Sequence, residues 1–143
     1  MSYKGIYKPS NPKKYIGNPN MIVYRSLWER KLFRYCDTNE KVLKWASEEI
    51  VIPYYNPAKK RMAKYYPDVY MEVITKDDKK EKILIEVKPF KETQPPKYKR
   101  RTKNTLLAEA MYSQNTAKWE AAKEFCLDQG WKFKIMTEKE LGV

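Results

Sequence analysis

The chain has 143 residues, 42% hydrophobic and 14% aromatic, enough to enclose the core of one domain and too apolar for a disordered chain. Thirty Lys and Arg against 18 Asp and Glu give a net charge of +12, which favours a polyanionic partner, with nucleic acid first. Histidine is absent, which excludes every chemistry that needs imidazole as base or metal ligand. No apolar run approaches the roughly 18 residues of a membrane span.

Residues 1–22 are rich in Tyr, Lys, Asn and Pro and read as an extended basic arm, with 23–143 as a single folded domain. The arm lacks the apolar stretch of a signal peptide, so a reducing, intracellular site of synthesis is expected. The pattern over 25–37 predicts an amphipathic helix, with Ser26 as N-cap and Glu29 three residues on. At about 100° per residue, Trp28, Leu32, Phe33, Tyr35 and Cys36 gather on one face and Arg30, Lys31 and Arg34 on the other. Glu29 falls inside the apolar arc. A carboxylate aimed at a core needs a partner, which a metal ion or a basic neighbour would supply; completing the capping box is the simpler role. Cys36 and Cys126 both fall on apolar helical faces and read as buried thiols, since neither belongs to a close cysteine pair.

Val42 to Trp45 is ambiguous in type. A strand is expected over 49–54, then a turn from Asn56-Pro57 to Arg61. Two further strands follow, over 66–74 and 82–88, joined by the polar run 75–81. The three strands are expected to form an antiparallel meander. Side chains alternate along a strand, so Asp68, Tyr70 and Glu72 share one face, as do Leu84, Glu86 and Lys88. Pairing these strands can bring Asp68 close to Glu86, with Lys88 beside it. Two acids and a lysine so placed can hold a divalent cation against a phosphodiester, although a cross-strand ion-paired face is the ordinary alternative.

Pro89 ends the last of these strands, and the proline-rich, basic run 89–104 reads as an exposed loop. Its Lys97, Lys99, Arg100, Arg101 and Lys103 are expected to grip a DNA backbone without reading sequence, unless the run is merely a solvated connector. A long helix is predicted from Thr105 to Asp128, stopped near Gly130, with Leu107, Met111, Ala121, Ala122 and Phe125 on its apolar face. Gln114 and Lys118 lie within that face, one turn apart. Either the lysine snorkels outward or the two reach the site and contact a phosphate. Residues 131–135 alternate as a final strand, and 137–141 read as a short capped helix.

The order of helix with Ser-x-x-Glu, strand, Pro67-Asp68, Glu86-Val87-Lys88 and a helix carrying a late lysine resembles the PD-(D/E)xK nuclease superfamily, in the branch of the TnsA-type transposon endonucleases. Two longer runs, Tyr24-Arg25-Ser26-Leu27-Trp28-Glu29-Arg30-Lys31 and Trp45-Ala46-Ser47-Glu48-Glu49-Ile50-Val51-Ile52-Pro53-Tyr54, are similar to the head-completion nucleases of T4-like tailed phages. The resemblance implies an α/β (α+β), restriction-endonuclease-like core, with a mixed central sheet that includes an antiparallel meander and is flanked by helices. It implies Asp68, Glu86 and the Val87 carbonyl as ligands of Mg²⁺, with Mn²⁺ a substitute. Lys88 becomes the catalytic lysine and Glu29 the additional acid. Glu49 is a possible accessory, and whether Glu48 or Glu49 enters the site is open.

The activity so implied is metal-dependent hydrolysis of double-stranded DNA with little sequence specificity. It would act in head completion, in the host cytoplasm or carried into the virion, alongside portal or neck proteins. A joining factor whose nuclease activity is incidental or lost is the alternative. Gly5-Ile6-Tyr7 and Tyr15-Ile16-Gly17 also spell the signature of the GIY-YIG nucleases, but Pro9 and Pro12 between them argue against the paired strands that signature needs.

Overall fold

The computed structural model describes residues 4–98 and 100–143. In chain order the elements are β1 (Gly5–Ile6), β2 (Val23–Tyr24), α1 (Leu27–Thr38), β3 (Val42–Ser47), β4 (Ile52–Asn56), β5 (Arg61–Tyr65), β6 (Val69–Ile74), β7 (Lys80–Val87), α2 (Lys103–Gln129), β8 (Lys132–Met136) and α3 (Glu138–Leu141). Single 3₁₀ turns occur at Pro12–Lys14 and Phe90–Thr93.

A four-stranded sheet, β3-β6-β7-β8, forms the centre, with β8 parallel to β7 and the other pairs antiparallel. The expected mixed sheet with a meander is present, but its first strand is Val42–Ser47, not residues 49–54. The latter stretch enters a separate hairpin, β4-β5, whose second strand begins where the expected turn 56–61 ends and has no counterpart among the elements expected from the sequence. The reason lies in burial. β3, an edge strand of the sheet, buries side chains on both faces, Trp45 in one core and Ala46 in the other, whereas β4 alternates buried Ile52, Tyr54 and Asn56 with exposed Pro53 and Tyr55. One-sided burial fits a ribbon with one face in water.

Period-two alternation sorts the central strands into two cores. Trp45, Val69, Met71, Ile83 and Ile85 join Leu32, Phe33 and Cys36 of α1 on one side. Ala46, Tyr70 and Leu84 join Trp119, Ala122 and Cys126 of α2 on the other, together with Ile52, Tyr54 and Tyr65 of the hairpin. The sheet is thus covered by α1 on one face and by α2 with the hairpin on the other. Both thiols are buried. Of the face expected on the long helix, Leu107 and Met111 are exposed, because the first turns of α2 run past the sheet before Asn115, Trp119, Ala122 and Cys126 meet the core. Gly130 closes that helix in the left-handed conformation at φ 75°.

Residues 4–22 are mostly irregular in backbone, yet packed onto the α1 side rather than projecting from it. Tyr7, Tyr15 and Ile22 are buried, and the Asp37 carboxylate accepts from the Tyr7 hydroxyl at 2.8 Å and from the amides of Ser10 and Asn11 at 2.7 and 2.9 Å. Gly5–Ile6 pairs with β2 and not with residues 15–17, so no GIY-YIG strand pair forms. Trp45 is the hub of this core: the rings of Tyr7, Tyr15 and Phe33 stand 6.1, 4.8 and 5.3 Å from it. Trp45→Ala will cost about 3–5 kcal/mol, read as the shift in a denaturant midpoint, because three aromatic partners cannot all collapse into one cavity.

Candidate active site

The register of β6 and β7 builds the site. Val69 pairs with Ile85 and Tyr70 with Leu84, so one step further along Asp68 stands across from Glu86. The contact is closed by the backbone: the Val87 amide donates to Asp68 Oδ2 at 2.7 Å. A strand residue's N–H and C=O leave the same edge, so the Val87 carbonyl belongs to the edge of β7 that faces β6. Lys88 follows, with its amide bonded to the Met136 carbonyl at 3.0 Å and its Nζ 3.9 Å from Glu86 Oε2.

Three other elements reach this strand end. On α1, Ser26 caps the helix by accepting from the Glu29 amide at 3.2 Å, and its hydroxyl donates to Glu29 Oε2 at 3.4 Å. Glu29 is nonetheless buried, in the first turn, where the helix dipole favours an anion. At the end of β5, the Tyr65 hydroxyl donates to Glu86 Oε1 at 2.7 Å. From α2, Lys118 lies with its Nζ 5.7 Å from the Tyr65 ring centre, close enough to the acids for their charges to matter.

Burial and mutual repulsion set the protonation of this cluster. Burial, then the charge of Glu86, raises the Asp68 carboxyl to about 8 against the pull of the Val87 amide and Lys88. Burial, then Asp68, raises Glu29 to about 7. Glu86 is raised by burial and by Glu29, opposed by Tyr65, Lys88 and Lys118. Burial also pulls the Lys118 ammonium down, with Glu86 opposing. Three acids are therefore held in a place where none is comfortable as an anion without added positive charge.

The donor set fits a hard cation. Asp68 Oδ1 and Glu86 Oε2 have no hydrogen-bond donor among the described residues, and the Lys88 ammonium stands 3.9 Å from the latter. Among the described residues no three Asp, Glu, Cys or His side chains are grouped closely enough to hold a metal ion; Asp68 and Glu86 supply two hard oxygen donors, the ligand type that Mg²⁺ takes.

The residues outside the cluster divide clearly. Glu48, not Glu49, comes to the site: its charge acts on both Asp68 and Glu29, its amide meets the Asp68 carbonyl at 3.3 Å, and Arg25 binds its carboxylate at 3.0 Å. Its backbone is left-handed, at φ 56°, which turns the chain between β3 and β4 and costs about 1 kcal/mol. Glu49 is exposed and lies over Gly17, where a Cβ would stand 2.9 Å from its Oε1. Gln114 is half-buried, one turn before Lys118, and has no hydrogen-bond partner among the described residues.

In the basic loop, Lys97, Arg100 and Arg101 are exposed, and Lys103, also exposed, is the first residue of α2 rather than part of the loop, because Thr102 caps the helix there. Arg101 pairs with Glu109 at 3.7 Å, and Tyr98 bonds the same carboxylate; Lys99 lies outside the described residues. Phe90 anchors the start of the loop, its amide donating to Glu138 at 2.7 Å and its ring under Lys139.

Sequence reasoning missed Tyr65 because its strand was not expected. An aromatic residue three positions before Asp68 was the available signal. Tyr65→Phe removes the donor that fixes Glu86 and will lower cleavage about 10–100-fold while raising the metal concentration needed. A metal titration of the cleavage rate checks this; an unchanged half-saturation point would show that Glu86 is oriented without it.

An acid pair on paired strands, with a lysine two residues beyond the second acid, is the arrangement that the resemblance to the PD-(D/E)xK nucleases implies. The chain belongs to the TnsA-like endonuclease family: the model of the family's N-terminal endonuclease domain matches residues 39–138. That span contains Asp68, Glu86, Lys88 and Lys118 but not Glu29. Over nearly its whole length the chain is also similar to a particular phage protein, the head completion nuclease of Enterobacteria phage T4. The two are 39% identical over 149 aligned residues, covering 99% of this chain and 95% of the relative.

Proposed function

We propose that the protein is a metal-dependent deoxyribonuclease that cuts double-stranded DNA with little sequence preference. The observation that carries this reading is the Asp68–Glu86 pair, fixed by the Val87 amide and Tyr65 and flanked by Lys88. Buried acids that repel one another add nothing to a fold; beside a phosphodiester they are what recruits Mg²⁺, or Mn²⁺ in its place. Asp68, Glu86 and the Val87 carbonyl would hold the ion. When bound, it supplies positive charge to a phosphoryl oxygen and acidifies a water.

The remaining steps belong to the chain's own groups. Lys88 orients the attacking water or neutralises charge gathering on the phosphate. Glu29 and Glu48 order the surrounding waters by hydrogen bonding. Lys118 and Gln114, on the α2 side, approach a phosphate neighbouring the one cut. The loop with Lys97, Lys99, Arg100 and Arg101, together with Lys103 at the start of α2, holds the duplex through its backbone, so binding falls steeply with salt.

The likeness to a head completion nuclease supports a role in finishing packaged phage heads in the host cytoplasm, beside portal or neck proteins, before tails join. Sequencing the ends of products cut from a long linear duplex tests the chemistry. Dispersed ends are expected, and a sharp motif would defeat backbone-only recognition. Head–tail joining fully supported by Asp68→Ala would make the role one of binding rather than cutting.

A further inference from the structure

The β4-β5 hairpin is not used by the site described so far except at its root, where Tyr65 holds Glu86. Its inner face, with Ile52, Tyr54 and Tyr65, packs under α2. Its outer face is bare: Tyr55 and Met62 stand opposite one another and are 55% and 63% exposed. Residues 52–65 contain Lys59, Lys60, Arg61 and Lys64 and no acid, and none of these four cations is ion-paired among the described residues.

The tip is also built rather than loose. Asn56, almost fully buried, accepts from the amides of Ala58 and Lys59 at 3.0 and 3.2 Å, and Lys60 is turned into the left-handed region at φ 53°. An Asx-type turn of this kind presents consecutive cations in a fixed array.

We propose that this hairpin is a second DNA-binding element, a β-ribbon whose basic tip grips the phosphates of the duplex being cut. The proposal rests on the nuclease reading, because it is the root of the ribbon at Glu86 that gives the tip its distance. From Tyr65 to Lys60 is five strand residues, about 17 Å at 3.3 Å each. That matches about five base pairs at 3.4 Å per step. A duplex that runs along the ribbon, with one phosphate at Asp68 and Glu86, would bring backbone phosphates to Lys59, Lys60 and Arg61 roughly half a turn away. Tyr55 and Met62 then lie along the ribbon's open face between the tip and the site. The ribbon and the basic loop are separate elements, so the two can hold DNA independently.

The test uses the full chain with Lys59→Gln, Lys60→Gln and Arg61→Gln combined, which removes the three charges, keeps polar side chains and leaves the Asn56 turn in place. A matched control neutralises Lys76, Lys79 and Lys80 to glutamine. These are exposed residues of the β6–β7 connection and the start of β7, at the opposite end of those strands from Asp68 and Glu86. Binding to a duplex of about 30 base pairs is measured over a range of salt in Ca²⁺, with thermal melting as the check on folding.

The tip variant should bind about tenfold more weakly, with the slope of log K against log salt reduced by about 2–3. It should also lose the fall in KM that the wild type gains as the duplex lengthens from about 8 to 20 base pairs, with saturated single-turnover cleavage kept. Equal affinity and slope in tip variant and wild type, or an equal loss in the control, would overturn the proposal. Were the wild type itself neither to bind nor to cut duplex DNA, the nuclease reading would fail first and the ribbon's role with it.

Discussion

Replacing Asp68 by asparagine will lower DNA cleavage about 10³-fold and will, at the same time, make the metal-free protein harder to unfold at pH 8. The first effect follows from losing one of two carboxylates that hold the ion, since metal stabilisation of a phosphoryl transition state is worth several kcal/mol and each 1.36 kcal/mol is tenfold in rate. The second follows from the cluster itself. Asparagine still offers an oxygen to the Val87 amide, while the charge that raises Glu29 is gone.

The sign of the pH dependence is fixed by the direction of the shifts. Asp68 moves from an ordinary value of 3.8 to about 8 in the folded protein, and Glu29 and Glu86 move the same way. Between those limits the folded state binds more protons than the unfolded one. The stability these groups contribute is fully present below about pH 4, is lost as pH rises toward 8, and changes little beyond. Melting midpoints at pH 5 and pH 8 read this directly. Wild type should lose more than Asp68→Asn over that interval, and Mg²⁺ at pH 8 should recover the wild type alone. A variant less stable than wild type at pH 8 would mean that Asp68 is an ordinary structural acid.

Lys88→Ala will lower single-turnover cleavage about 10²–10⁴-fold without weakening metal binding. Lys88 is held at the strand end by its own amide, and its Nζ reaches Glu86 Oε2 only at 3.9 Å, too long for a hydrogen bond. It is thus placed beside the acids without being consumed by them. Removing it leaves Asp68 and Glu86 with less opposing charge, which favours a cation in their place. Lys88→Arg separates the two roles open to the lysine. Arginine keeps the charge and does not release a proton, so recovery of activity would assign charge stabilisation, and no recovery would assign proton transfer or a geometry only the ammonium satisfies. Metal affinity falling in step with rate would contradict both.

How far the sequence discloses this site depends on which residues are set by local pattern. Asp68, Glu86 and Lys88 are legible because alternation on two adjacent strands fixes their face, and the register found for Val69 and Ile85 is what the hydrophobic faces require. Glu29 is legible as a charge in an apolar helical arc, and its burial follows. Tyr65 and Glu48 are not legible. The first sits on a hairpin strand whose Lys- and Arg-rich sequence carries little apolar alternation. The second depends on a left-handed turn at a glutamate, which no local preference signals, so it could not be told from Glu49.

The same distinction runs through the fold. Helix ends were readable where caps mark them, at Ser26, Gly130 and Thr137. Val42 to Trp45 is ambiguous in sequence because β3 buries side chains on both faces of the sheet, Trp45 in one core and Ala46 in the other, so its polarity does not alternate. The N-terminal segment, dense in Pro and Lys, gave no sign of being bound. The buried Asp37 carboxylate, collecting one hydroxyl and two amides, helps the buried Tyr7, Tyr15 and Ile22 tie it down, and such long-range satisfaction is invisible along the chain.

The most direct test of the central claim is a closed-circular duplex incubated with the protein and Mg²⁺, for wild type and Glu86→Gln side by side, with EDTA as the third arm. Nicked or linear circles from the wild type alone, and none with EDTA, are the predicted result. Equal cutting by the variant, or tight DNA binding with no cutting in either Mg²⁺ or Mn²⁺, would contradict it.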